Sequence, residues 1–233
     1  MSIRKIGAIV KKQIKDTLKN KAVLIQFLMF PVLTVIMDRT VNIPDLPENY
    51  FLYVFAAMYV GMAPLISAAS IIAEEKEQNT LRVLMMSNVN ASEYLIGEAL
   101  YIVIACMIGS FVFALEGKFR GVEFLVFMGV MCIGIITSTV LGAAIGIWSK
   151  NQMAATSITV PVMIILSFVP MIAMFNEKVE RFSQFLYTEQ INCLIHNVTA
   201  SSIQMDRIAV IFANALCAIG VFVAAYRKRG LLS

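Results

Sequence analysis

Long apolar runs alternate with short polar segments along the chain. Six runs come close to the roughly 20 mostly apolar residues that a membrane-spanning helix requires. They are Ala22 to Val41, Tyr50 to Ala73, Tyr94 to Leu115, Phe124 to Trp148, Met153 to Phe175 and Ile208 to Tyr226. The pattern predicts six transmembrane helices joined by short loops.

The composition is that of a membrane protein. Hydrophobic residues make up 59% of the chain and charged residues 15%, whereas soluble domains carry about 25% charged residues. The segments outside the six runs are too short to form a soluble domain. We therefore expect an all-α polytopic membrane protein with a single transmembrane domain over residues 1–233.

Residues 1–20 precede the first run and predict an interfacial amphipathic helix. At 100° per residue, one arc is apolar and the opposite arc is basic. The apolar arc contains Ile3, Ile6, Val10, Ile14 and Leu18, and the basic arc contains Arg4, Lys5, Lys11, Lys12, Lys15 and Lys19. Such a helix can lie on anionic lipid headgroups, with Lys5, Lys11, Lys12 and Lys15 as the expected contacts with the membrane surface. The alternative is a charged retention signal with no further role.

The distribution of Lys and Arg predicts the orientation. Seven precede the first run and three follow the last. With the N-terminus inside, the inner segments hold about twice as many as the outer ones, as the positive-inside rule requires. Both termini are therefore expected in the cytoplasm, and the net charge of +4 reflects topology and not nucleic-acid binding.

The densest charge cluster follows the second run, over residues 74–90. Glu74 to Asn79 should extend the second spanning helix out of the membrane, and Leu81, Leu84 and Met85 then recur at helical spacing. A polar helix with one apolar edge suits docking into a groove of another protein. A solvated turn between two helices is an equally good interpretation of the spacing alone.

A capping box is predicted at the start of the third spanning helix. Asn90 is followed three residues later by Glu93, a spacing that lets each side chain bond the other residue's backbone N–H.

The string EEKEQNTLRVLMMSNVN, residues 74–90, resembles the first cytoplasmic loop of permease subunits of type 2 ATP-binding-cassette exporters. In that family, a Glu-Lys-Glu, Thr-Leu and Leu pattern forms the coupling helix. The family plan is also similar over the whole chain, with six spanning helices, an interfacial N-terminal helix and a long outer segment before the last helix. Arg82, Asn88 and Glu98 depart from the family pattern, which often has an acidic residue, a proline and a lysine at these positions.

The resemblance implies the permease subunit of an ATP-driven exporter in a bacterial inner membrane. Two copies, identical or paralogous, would surround the translocation pathway, and a separate cytoplasmic ATPase would bind ATP and Mg²⁺. The residues that would contact this ATPase, or hold the loop that does, are Glu74, Glu75, Glu77, Thr80, Leu81 and Leu84. The alternative is a stand-alone secondary transporter or channel.

Motifs for catalysis or metal binding are missing from the sequence. No phosphate-binding loop occurs, and the one Gly-Lys pair, Gly117-Lys118, continues with Phe119. The single histidine, His196, has only Cys193 at ligand spacing, which is too little for a zinc site. We therefore expect no enzymatic activity, no metal site and no cofactor held by this chain itself.

Residues 176–207 form the outer segment before the last run. Its apolar positions, which include Phe182, Phe185 and Ile191, are scattered among charged residues and predict short amphipathic helices at the outer leaflet. The family resemblance implies that this segment re-enters the membrane.

Two further features allow alternative interpretations. Glu98 lies inside a spanning run and could serve as a proton relay or cargo contact, although an interfacial or partner-facing carboxylate is favoured by its position near the helix end. Gly142 and Gly146 predict close helix packing, and packing within the chain is favoured over a dimer seam.

Overall fold

The structure is a computed structural model and describes residues 2–41, 49–173, 175–197 and 204–230. These ranges contain ten α-helices. They are α1 (Ile3–Lys19), α2 (Lys21–Thr40), α3 (Tyr50–Glu77), α4 (Thr80–Met86), α5 (Ala91–Glu116), α6 (Val122–Trp148), α7 (Gln152–Ala173), α8 (Glu177–Ser183), α9 (Tyr187–His196) and α10 (Met205–Arg229).

Six of these helices, α2, α3, α5, α6, α7 and α10, are long and apolar enough to cross a membrane. Each corresponds to one predicted run. The longest, α3, has 28 residues, which at 1.5 Å per residue is about 42 Å and exceeds the hydrocarbon thickness of a bilayer. The chain is therefore a multi-pass, all-α membrane protein, as predicted.

Helix α3 lies at the centre of the bundle and packs against α2, α5, α6, α7 and α9. Glycines on α6 permit its closest contact. Gly142 lies against the backbone carbonyl of Leu65, and a Cβ added at Gly146 would lie 2.9 Å from Cβ of Ile72. The Gly-x-x-x-Gly pair therefore packs within the chain, which confirms the favoured interpretation.

Four segments meet at one end of the bundle, which we term the α4 end: α1, α4, the α6–α7 connection and the last turn of α10. Lys5 of α1 donates to the carbonyl of Asn88, Lys76 of α3 donates to that of Ile147, and Lys228 lies over the Trp148 ring. The opposite end holds α9, whose His196 ring lies 4.0 Å from the Tyr53 ring near the start of α3.

Helix α9 is buried within the bundle. Its Tyr187 hydroxyl hydrogen-bonds to Ser138 of α6 at 2.6 Å, and Ser138 donates to the carbonyl of Val60. Ile191 fills the space beside Gly134 that a Cβ would need. The expectation of helices in this segment is met by α8 and α9, but the apolar residues of α9 face the protein core, because α6 offers a glycine gap for them.

Candidate partner-binding site

The turns before and after α4 each contain an asparagine with left-handed backbone. Asn79, between α3 and α4, has φ +58°, and Asn88, after α4, has φ +69°. Asparagine tolerates this region better than other residues with a Cβ, because its short polar side chain can bond locally. The Thr80 hydroxyl donates to the carbonyl of Glu75 at 3.1 Å, so Thr80 ties the start of α4 to the last turn of α3.

Helix α4 has an inner and an outer apolar face. Leu81 is 1% exposed and packs in a cluster with Ile9 and Tyr94, against which Leu84 also packs. On the outer face, Val83 is 64% and Met86 79% exposed. Leu81 and Leu84 therefore hold the helix to the bundle, and the apolar surface available to another protein consists of Val83 and Met86.

Glu75 points inward from the end of α3. It is 7% exposed, forms an ion pair with Lys12 of α1 at 2.5 Å and accepts a hydrogen bond from Gln13 at 2.9 Å. A buried carboxylate needs such partners, because desolvation penalises its charge. Glu75 is thus placed to hold α1 against the loop.

The same Gln13 amide nitrogen also donates to Glu98 of α5, at 2.6 Å. Glu98 is 2% exposed and its side chain faces α1, so it is a buried carboxylate within the chain and does not face a partner. The reason is that α1 covers this part of α5. One oxygen of Glu75, one of Glu98 and the Tyr94 hydroxyl remain without a hydrogen-bond partner among the described residues.

Lys76 and Glu77 connect the end of α3 to two further helices. The Lys76 ammonium donates to the carbonyls of Ile147 and Ser149 at 2.8 and 2.9 Å, which satisfies carbonyls at the C-terminus of α6. The Glu77 carboxylate accepts from the backbone N–H of Gln152, at the start of α7, at 2.9 Å. Three successive residues of α3 therefore bind three different elements, namely α1, α6 and α7.

Glu74 lies on the remaining side of this turn of α3. Its carboxylate accepts a hydrogen bond from Gln78 at 3.0 Å, and it lines a cleft of about 380 Å³ between α1 and the α3–α4 turn. Asp16 and Glu75 also line this cleft, together with Lys12. Carboxylates outnumber the lysine there, which suits a basic side chain.

The N-terminal half of α1 is attached to the segment that follows α4. The backbone N–H of Ser2 donates to Glu93 at 2.7 Å, and the Lys5 ammonium lies 3.6 Å from the same carboxylate. Glu93 also accepts from the backbone N–H of Asn90 at 3.1 Å, and the predicted capping box is confirmed. Helix α1 thus contacts the loop both before and after α4.

The four lysines expected at the membrane surface divide into two pairs. Lys5 and Lys12 bond to Asn88, Glu93 and Glu75 within the chain. Lys11 and Lys15 are exposed. Ile3, Ile14 and Leu18 are exposed on the apolar arc, so α1 has one face packed on the protein, an exposed apolar arc and exposed lysines.

Residue spacing did not identify three of the residues that shape this site, namely Gln13, Val83 and Met86, and it did not place Glu98 beside α1. Gln13 and Glu98 are single polar residues on two helices 85 positions apart. Val83 and Met86 were not singled out because their i, i+3 spacing is also that of the inner residues, Leu81 and Leu84. Only the rotation of α4 decides which pair faces outward.

Comparison with known proteins identifies the family of the chain. No curated protein matches it. The family model for ABC-2 family transporter proteins matches residues 5–224, which is almost the whole chain and includes most of α1 and α10, the α4 loop and the other five spanning helices. The chain therefore belongs to the ABC-2 family of transporter proteins, as the membrane-spanning permease part of an ABC transporter.

Proposed function

We propose that this chain is the permease subunit of an ATP-driven exporter and that α4 docks on a separate ATPase subunit. That subunit binds ATP and Mg²⁺ and hydrolyses the nucleotide, while two permease copies, identical or paralogous, enclose the pathway. The exposed pair Val83 and Met86 on α4 carries the proposal. In the proposed arrangement α4 lies beyond the lipid headgroups, and exposed apolar side chains on such a helix are typical anchors in a protein groove.

Charge supports the same assignment. Glu74 and Asp16 line the cleft beside α4, and Glu77 is exposed on the same turn. A partner surface with one apolar pocket and flanking Arg or Lys side chains would match this pattern, since charge complementarity guides docking and fixes register. Glu75 is buried and supports this surface indirectly, because its ion pair with Lys12 holds α1 against the loop.

The contacts of α3 supply a route for transmission. A displacement of α4 by ATPase closure moves the last turn of α3, and this turn is bonded to α1 through Glu75, to α6 through Lys76 and to α7 through Glu77. Because packed interfaces switch between discrete arrangements, such a push can shift the spanning helices between two access states.

The proposed orientation puts the α4 end in the cytoplasm of a bacterial cell, at the inner membrane. Lys11 and Lys15 then lie at the level of the inner lipid headgroups. At the outer side, the α8–α9 hairpin re-enters the membrane, in keeping with the depth of Tyr187 beside Ser138.

The test is binding of the ATPase that co-purifies with the tagged permease. The double variant Val83→Ser/Met86→Ser removes the outer face of α4 and should weaken binding more than tenfold, as expected for buried interface anchors. The matched control is Phe182→Ser/Phe185→Ser, which changes two exposed apolar residues at the opposite end and should leave binding unchanged. Equal binding by both variants would remove α4 from the interface.

A further inference from the structure

The chain has a single tryptophan, Trp148, and two cations lie over its ring. Trp148 is the last residue of α6 and is 39% exposed. The Lys228 ammonium lies 5.1 Å and the Arg229 guanidinium carbon 5.4 Å from the ring centroid. Cation–π attraction holds each charge near the indole and thereby brings two like charges close together.

A third cation is fixed beside them. Lys76 is bonded to the carbonyls of Ile147 and Ser149, on either side of Trp148, and it interacts electrostatically with Arg229. These carbonyls belong to the C-terminus of α6, whose dipole offsets only about half a charge. The end of α6 therefore carries a net positive field.

No carboxylate within the described ranges forms an ion pair with these cations. Glu75 and Glu77 flank Lys76 in the sequence: Glu75 pairs with Lys12, and Glu77, which accepts from the backbone N–H of Gln152, offsets part of the positive charge. The three ion pairs within the described ranges join Lys5, Lys12 and Arg39 to their partners, and none of them includes Lys76, Lys228 or Arg229.

An apolar strip on α10 leads to these cations. Cys217, Val221 and Ala224 are exposed and precede Lys228 at spacings of four, three and four residues, so the four residues share one helix face. On α6, Leu141 is half-buried and lies seven residues, or two turns, before Trp148. Because α6 packs directly on α10 and Trp148 lies against Lys228 and Arg229, Leu141 and the strip of α10 belong to neighbouring helices that carry the aromatic ring and the cations at one end.

We propose that Trp148, Lys228 and Arg229, with Lys76 behind them, bind the phosphate of an anionic phospholipid. Its acyl chains lie along the strips of α6 and α10. A strip of apolar surface that ends in an aromatic ring and in cations that form no ion pair matches a lipid in both charge and polarity. This site is distinct from the surface contact of α1 and does not depend on the ATPase.

The single tryptophan allows a direct measurement. The full-length protein is placed in phosphatidylcholine nanodiscs in which a fixed fraction of lipid is replaced by phosphatidylglycerol brominated near the headgroup. A parallel series uses equally brominated phosphatidylcholine. Bromine quenches Trp148 only at close range, so the two series compare occupancy by the anionic and the zwitterionic lipid.

We expect an apparent preference for phosphatidylglycerol of about fivefold or more, since each cation near an anionic headgroup contributes about that factor. Lys228→Gln/Arg229→Gln should reduce the preference to near unity. The matched control is Arg4→Gln/Lys19→Gln, which removes the same charge from exposed positions of α1 and should keep the preference. Unchanged quenching by brominated phosphatidylcholine shows that each variant is folded and inserted.

Equal quenching by the two lipids in the wild type would overturn the proposal, and so would a preference that survives Lys228→Gln/Arg229→Gln. A preference reduced equally by both double variants would mean that general surface potential, and not this site, attracts the lipid. Inorganic phosphate added to phosphatidylcholine nanodiscs should leave Trp148 emission unchanged. A phosphate-dependent change that also abolishes the lipid preference would assign the site to a free anion instead.

Discussion

Ile9 of α1 occupies the space where a side chain at Gly97 of α5 would lie. A Cβ added at Gly97 would come within 2.9 Å of both Cβ and Cγ2 of Ile9, which is closer than such atoms pack. The seating of α1 on α5 therefore depends on the absence of one methyl group. The buried bonds from Gln13 to Glu75 and Glu98 follow one turn later on the same face of α1.

The first prediction concerns this seating. Gly97→Ala should displace α1 and lower stability by about 1–3 kcal/mol, the usual cost of overpacking. Gly7→Ala is the control within α1, because nothing lies within 4 Å of its added Cβ and alanine favours helix. The measurement is the apparent melting temperature in detergent, followed by size-exclusion chromatography. A Gly97→Ala protein as stable as the wild type would contradict the close contact.

The Lys12–Glu75 ion pair should contribute to stability. Lys12→Gln leaves the buried Glu75 carboxylate without its cation and should cost about 1–2 kcal/mol, a discounted figure because the lysine itself is partly exposed. The double variant Lys12→Gln/Glu75→Gln should recover part of this loss in a double-mutant cycle. The exposed pair Arg39–Glu116, at 3.5 Å, is the control, and its cycle should give a coupling near zero.

The turn after α4 should reject proline. Asn88 has φ +69°, whereas proline is restricted to about −65°. Asn88→Pro should therefore lower stability by about 1–3 kcal/mol and separate Lys5 from the Asn88 carbonyl. Asn88→Gly, which adopts positive φ without strain, should be tolerated. Melting temperatures of the two variants give the comparison, and equal values would show that the turn is remodelled freely.

The contact between His196 and Tyr53 should weaken in acid. Burial lowers the pKa of His196 from its ordinary value of 6.5, so the unfolded chain binds the proton more readily. The stabilisation that neutral His196 contributes is complete above pH 6.5, and it is lost as the pH falls through the pKa of His196 in the folded protein. Burial raises the pKa of Glu189 on the same helix, which acts in the opposite sense.

The histidine contribution is isolated by comparing the wild type with His196→Phe. When the pH is lowered from about 7.5 to 5.5, the apparent melting temperature of the wild type should fall more than that of the variant. The effect of Glu189 is common to both proteins and cancels in the comparison. Parallel pH profiles for the two proteins would exclude His196 as a source of acid sensitivity.

Hydropathy alone was sufficient to predict the six spanning helices, and local rules predicted the capping box of Asn90 and Glu93. Both depend on residues close in sequence. The Gln13–Glu98 bond could not be predicted, because it forms only when α1 is seated on α5. The outward direction of Val83 could not be predicted either, since it depends on how the Asn79 and Asn88 turns rotate α4.

The most direct test of the proposed function is site-specific photo-crosslinking in the native membrane. A photoreactive residue at Val83 should crosslink to a soluble protein that carries a phosphate-binding loop, and one at Phe185, at the opposite end, should not. Crosslinking from Val83 to lipid or to membrane proteins alone would contradict the assignment of α4 as the contact with an ATPase.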